Sequence, residues 1–179
     1  SSYMYQSRHL RSVLSKIHSL LTWIPFHSSS RHNWNDGNNK HYWNDVFPPT
    51  PQYNWPQLSE SLGCEVWVKH ENHTPTTAFK VRGGIVLIDA LIKSTKPPKG
   101  LISATIGNHG QSLAFAGRRV GLAVTIMVPE GNNEDQNRAI KSHSANLIVH
   151  GHDFEAARQH SLKLQHDLGY RAVAPFERE

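Results

Sequence analysis

A single cysteine, Cys64, stands alone in 179 residues, so no internal disulfide can form, and such usage fits a reducing compartment. No stretch approaches the roughly 20 apolar residues that a helix needs to cross a bilayer. The patterns G-x-G-x-x-G and G-x-x-x-x-G-K-[ST] are both missing, which leaves out the usual glycine cradles for dinucleotides and nucleoside triphosphates. Acidic residues are missing before Asp36, so the formal charge of +5 is uneven. Residues 1–45 carry five Lys/Arg against two Asp/Glu, and residues 46–179 carry fourteen against twelve. A nearly balanced body with no basic stripe or aromatic–basic interleaving argues against nucleic acid as a partner.

Residues 1–45 are rich in Ser, His, Asn and Trp and read as a basic amino-terminal extension. Within it, residues 8–23 set Leu10, Val13, Leu14, Ile17, Leu20 and Leu21 near one helical face, with Arg11, Lys16 and His18 elsewhere. A basic, acid-free amphipathic helix has the composition of an organellar transit peptide, and an arbitrary surface helix shares that composition. The expected location is therefore cytoplasmic, with organellar import as the alternative. Five histidines here (His9, His18, His27, His32 and His41) are spaced too widely for a compact ligand set, and no metal is assigned. Asn33, Asp36 and Gly37, followed by Pro48, Pro49 and Pro51, make residues 28–52 a linker.

From Trp55 the periodicity changes. A short helix through Leu58 and Leu62 stops at Gly63, and residues 65–70 alternate as a strand. Helices at 79–93, 108–120, 134–144 and 154–168 then alternate with strands at 101–105, 123–128, 146–150 and 171–175. The strands are continuous apolar runs, which marks a parallel sheet covered on both faces. The fold class is α/β, a parallel sheet with helices on both faces. The sequence stops just after a strand, so the unit reads as incomplete.

Two segments carry chemistry: KHENHTPTTAFKVRGG (residues 69–84) and SATIGNHGQS (residues 103–112). In the first, Lys80 opens a helix, where the macrodipole disfavours a cation, and a neutral amine can condense with a carbonyl. A lone lysine is more often a solvated charge. In the second, a strand ends at Thr105, the turn passes through Gly107, and Asn108 and His109 lie over the first free N–H groups of a helix. Such an end receives a phosphate or carboxylate. A plainer account has Gly107 permitting a tight turn and Asn108 capping the helix. His150 and His152 are close enough for a metal but lack a third ligand, and Asp153 caps the helix that begins at Phe154. Arg82 faces either solvent or a phosphate.

The runs K-x-E-N-x-x-P-T-x-A-F-K-x-R-G-G and S-A-T-x-G-N-H-G-Q-S resemble the two signature segments of the fold-type II pyridoxal-phosphate enzymes, in the threonine dehydratase and serine racemase branch. The resemblance covers residues 46–176 and implies a tryptophan synthase beta-like fold. It implies that residues 46–84 begin a large domain and residues 85–176 form a small α/β domain. It implies that Lys80 binds pyridoxal 5'-phosphate as a Schiff base and moves the α-proton, that Asn108 bonds the ring hydroxyl, and that Phe79 packs by the ring. Thr105, Gly107, Asn108 and His109 would hold the substrate carboxylate. The implied activity is an ammonia-lyase (dehydratase) acting on threonine, serine or another β-hydroxy amino acid, with a homodimer expected of the full-length enzyme.

Three departures shape the expectation. Thr77 stands where the family usually has Gly, so a β-branched side chain is expected to crowd the cofactor or strain the backbone. Ile106 stands where the racemase has a proton-carrying serine, which argues against racemisation. The family's glycine-rich phosphate loop has no counterpart in these residues, so a fragment with weak or no activity is expected. The competing reading is a non-catalytic α/β binding module derived from the same family.

Overall fold

A computed structural model describes residues 46–175. The basic extension, with its amphipathic helix and five histidines, and the first part of the expected linker lie outside the described residues.

The described chain opens with a short antiparallel pair, β1 (Gln52–Asn54) and β2 (Trp67–Lys69), connected through α1 (Pro56–Leu62). Pro56 suits the first turn of α1, where its missing N–H costs no intrahelical bond, and the helix stops at Gly63 as the sequence predicts. The pairing of Gln52 with Lys69 corrects the linker expectation at that end. A polar three-residue strand has no periodicity of its own and exists only through its partner. A 3-10 turn, Glu71–His73, follows β2.

The alternating part comprises α2 (Lys80–Ile92), β3 (Gly100–Ala104), α3 (Asn108–Val120), β4 (Ala123–Val128), α4 (Glu134–Ser142), β5 (Asn146–Val149), α5 (Phe154–Leu168) and β6 (Arg171–Ala172). All eight elements expected after residue 78 are present. α3 and α5 end at Gly121 and Gly169, whose φ values of 69° and 62° only glycine adopts cheaply. The final strand keeps only Arg171–Ala172 of its five expected residues. Val173 N–H still donates to the Ile102 carbonyl at 2.9 Å, and Pro175 has no N–H with which to extend the ladder.

The sheet is parallel in the order β5–β4–β3–β6. The chain steps outward from β3 through β4 to β5, then crosses back over the opposite face as α5 to reach the far side of β3. That reversal divides the helices between the faces, as right-handed crossovers require. On one face, Leu101, Val124, Ile126 and Val128 pack with Val81, Ile85 and Ile88 of α2, Leu113 of α3 and Ile140 of α4. On the other, Ala104 and Met127 meet Ala157, with Phe154 and Leu164 of α5 around them. All five residues of β3 are buried, so the loop that leaves its carboxyl end starts from a fixed point.

Candidate functional site

The β3–α3 loop begins with Thr105, which is buried, and its N–H donates to the Met127 carbonyl at 3.0 Å. The Thr105 hydroxyl oxygen accepts from Gly107 N–H at 3.3 Å, so this side chain organises the turn. Gly107, and not Asn108, is the residue preceding α3, and no side chain caps the helix. Asn108 is the first helical residue and is exposed, which corrects its expected capping role. The amino end of α3 is left open to an anion. The helix sits close on the sheet at Gly110, where a Cβ would lie 2.7 Å from Thr105 Cγ2 and 3.1 Å from Ile126 Cγ2.

His109, in the first turn of α3, is largely buried, and its Nε2 has no hydrogen-bond partner. Burial, joined by the Lys80 charge and opposed by the Val173 backbone, pushes its pKa down from 6.5 to about 4. The ring is therefore neutral at pH 7, with one nitrogen left for a ligand. Lys80 opens α2, and its carbonyl accepts a hydrogen bond from Ser112 Oγ at 2.6 Å. Four residues further along α2's inner face, a Cβ on Gly84 would lie 2.9 Å from the Ser112 carbonyl oxygen. Lys80, His109 and the open end of α3 thus lie on the same face of the sheet and interact. Phe79 is 64% exposed, and Ile106, in the loop beside Gly107, is 59% exposed.

Thr77 has φ 54°, the left-handed region that a β-branched residue enters only under strain. The strain expected at this position is present. Arg82 faces neither open solvent nor an anion pocket: its Nε donates to Glu71 Oε2 at 2.7 Å and its Nη2 to Glu71 Oε1 at 3.0 Å. Arg82 holds the Glu71 carboxyl below its usual range. Glu71, Gln111 and Gln136 have no role that the sequence alone signals, although Glu71 and Gln111 lie in the two signature runs. Gln111 Nε2 donates to Gln136 Oε1 at 2.6 Å, and Gln136 packs where a Gly107 Cβ would come within 3.1 Å. Partners so far apart in sequence leave no local signal.

The remaining candidates lie elsewhere. Asp153 does cap α5, accepting from Ala156 N–H at 2.8 Å. His152 pairs with Asp153 at 3.1 Å, and His150 stacks on His160 with ring centroids 3.8 Å apart. Among the described residues, no group of three or more His, Cys, Asp or Glu could hold a metal, and no helix is long and apolar enough to cross a membrane. A cleft of about 180 Å³ between α2 and α3, lined by Val46, Ile85, Asp89 and Arg119 among others, contains none of the site residues.

Residues 44–179 match the family model described as "Pyridoxal-phosphate dependent enzyme". A threonine dehydratase of Nicotiana attenuata is 33% identical over 133 residues, 74% of this chain and 22% of that protein. The processed form of threonine deaminase isoform 2 from Solanum lycopersicum superposes with a TM-score of 0.67 at 27% identity, covering 75% of this chain and 39% of its own. Serine racemase from Dictyostelium discoideum gives 0.68 at 26% identity, covering 76% and 44%. The chain therefore spans less than half the length of each of these relatives. The match over three quarters of the residues, on the observed α/β layer, assigns the chain to the fold-type II pyridoxal-phosphate-dependent enzymes, in the threonine dehydratase and serine racemase family.

Proposed function

We propose that the chain supplies the catalytic lysine and the carboxylate-binding loop of a pyridoxal-phosphate-dependent ammonia-lyase acting on threonine, serine or another β-hydroxy amino acid. The observation that carries this reading is the Lys80 charge reaching the neutral imidazole of His109, whose buried Nε2 has no partner, at the uncapped end of α3. An orphaned buried nitrogen beside an open helix end fits a carboxylate, and the exposed Phe79 ring next to Lys80 fits a flat aromatic cofactor. When bound, pyridoxal phosphate supplies an electron sink for the carbanion left at the substrate's α-carbon.

The chain's own residues then have separate tasks. Lys80 Nζ tethers the cofactor and moves the α-proton. Asn108, exposed at the first turn, donates its side-chain amide to the cofactor's ring hydroxyl. The backbone N–H groups of Asn108 and His109, with the Thr105 hydroxyl, orient the substrate carboxylate on the turn at Gly107, whose own N–H is taken by Thr105 Oγ1, and His109 with its proton on Nε2 donates to it without a second positive charge. Ile106 has no proton to give, which favours elimination over racemisation. Residues 46–84 would begin the large domain and residues 85–176 would form the small one, with dimerisation through the large domain and no nucleic-acid partner.

Incubation of the whole protein with pyridoxal phosphate, borohydride reduction and peptide mapping test the assignment. The adduct is expected at Lys80 and absent in Lys80→Ala, together with loss of keto-acid release from threonine and serine. Equal labelling in the variant overturns it and leaves the non-catalytic module as the better reading.

A further inference from the structure

We infer that Glu71 is a positioning residue for Lys80: by clamping Arg82 it holds shut, under strain, the loop that presents the lysine. This rests on the reading of Lys80 proposed above. Glu71 and Arg82 stand on either side of a loop that begins in the 3-10 turn and ends in the first turn of α2. Inside it, the Thr74 hydroxyl donates to the Ala78 carbonyl at 2.9 Å and accepts from Ala78 N–H at 3.0 Å, while Thr77 N–H donates to the Thr74 carbonyl at 2.9 Å. These bonds fold the loop tightly around Thr77, at φ 54°. A β-branched residue stays in that region only when its surroundings leave no alternative.

The clamp supplies that constraint. Both oxygens of Glu71 engage the Arg82 fork, a geometry that fixes direction as well as distance. Thr50 Oγ1 donates to the same carboxylate at 2.7 Å, and Lys69 Nζ, 4.0 Å from it, donates to the Thr50 carbonyl at 3.1 Å. The Phe47 ring covers the guanidinium at 5.1 Å. Glu71 and Arg82 side chains are 20% and 26% exposed, so solvent screens the pair only in part. A cation at the amino end of a helix opposes the macrodipole, so Arg82 gains no favour there from α2's own dipole. Its position is set from outside the helix, by Glu71 of the 3-10 turn, backed by Thr50 and Phe47 ahead of β1 and by Lys69 of β2. Since Arg82 follows Lys80 by two residues in one helical turn, holding the guanidinium restrains the backbone turn from which Lys80 projects.

The test compares borohydride trapping of pyridoxal phosphate in the whole protein for wild type, Glu71→Gln, Thr77→Gly and the double variant. Rates are read by mass spectrometry at Lys80 and, as an internal reference, at exposed Lys163. Loss of a charge-assisted pair is expected to slow trapping at Lys80 by about tenfold in Glu71→Gln, with Lys163 unchanged. In the Thr77→Gly background the same substitution is expected to cost about twofold or less, because glycine holds the left-handed turn without a clamp. Arg82→Lys, which keeps the charge and loses the fork, is expected to slow Lys80 in the same way and covers the case in which Glu71→Gln does not fold. An unchanged Lys80 rate in both clamp variants, or an equal loss in both Thr77 backgrounds, overturns the inference and leaves Glu71 a structural residue. Wild-type labelling no faster at Lys80 than at Lys163 overturns the reading of Lys80, and the inference with it.

Discussion

His109 binds its proton far less readily in the folded protein than in the unfolded chain, because burial and the Lys80 charge both disfavour the cation. Its folded pKa of about 4 lies below the ordinary 6.5, so between those values the unfolded state takes up a proton that the folded state refuses. The neutral ring's contribution is complete above pH 6.5 and is lost as the pH falls toward 4, which amounts to roughly 3 kcal/mol. Glu71 shifts stability in the same direction at lower pH: its depressed pKa gives stability that is present above about 4.5 and lost below it. Urea unfolding across this range should therefore show two regions of falling stability, the upper one flattened in His109→Gln and the lower one kept. A smaller upper slope is expected to survive in the variant, because His143 is also held below its usual range by burial and Arg118. An unaltered upper slope in His109→Gln would show that the folded imidazole takes up its proton as readily as the unfolded one and is not held neutral by burial.

The crossing of α2 on α3 shows how two elements fix the separation of the two signature segments. Gly84 lies against the Ser112 backbone, and Ser112 Oγ bonds the Lys80 carbonyl, so the contact that permits close approach also carries the lysine. Gly84→Ala would gain helix propensity but would drive a methyl group into a carbonyl oxygen that cannot move aside, for a net loss of about 2 kcal/mol. Thermal melts check the cost, and slower trapping at Lys80 than at Lys163 checks that the helices have separated; a variant as stable as wild type rules out the close crossing. Elements of this kind were legible in the sequence because their signals are local: the apolar period of residues 108–120, the glycine at 121, Asp153 ahead of α5. The strand Gln52–Asn54 was not, since it is formed by hydrogen bonds to β2 and carries no pattern of its own. The site divides in the same way. Lys80 and the Asn108 turn could be read from their motifs, whereas the neutral state of His109, the Glu71–Arg82 pair and the Gln111–Gln136 bond arise from tertiary contacts that no window of sequence contains.

Across the whole described molecule, the two faces of the sheet are unequally covered, and that inequality decides where it opens first. Three helices cover one face, and α3 alone buries seven residues, from Gly110 to Gly117. The other face has α5, which buries only Ala157 and Ser161. The strands differ likewise: the inner strand β3 is buried throughout, while the edge strands β5 and β6 have no fully buried residue. Local opening free energy tracks buried apolar contact, so α5, β5 and β6 should open together well below the global unfolding free energy. Hydrogen exchange measured by mass spectrometry is expected to label peptides covering 146–172 at least tenfold faster than those covering 100–128, where each tenfold is about 1.4 kcal/mol of opening free energy. The Lys80 end of α2 and the first turn of α3 are expected in the slow group, which is what a site requires when an amine and a helix end must keep their separation while the outer strands breathe. Uniform protection across both sets of peptides would mean that α5 is held by contacts beyond those with β3, β4 and β6, and would remove the basis for a rigid face carrying the lysine and a yielding one behind it.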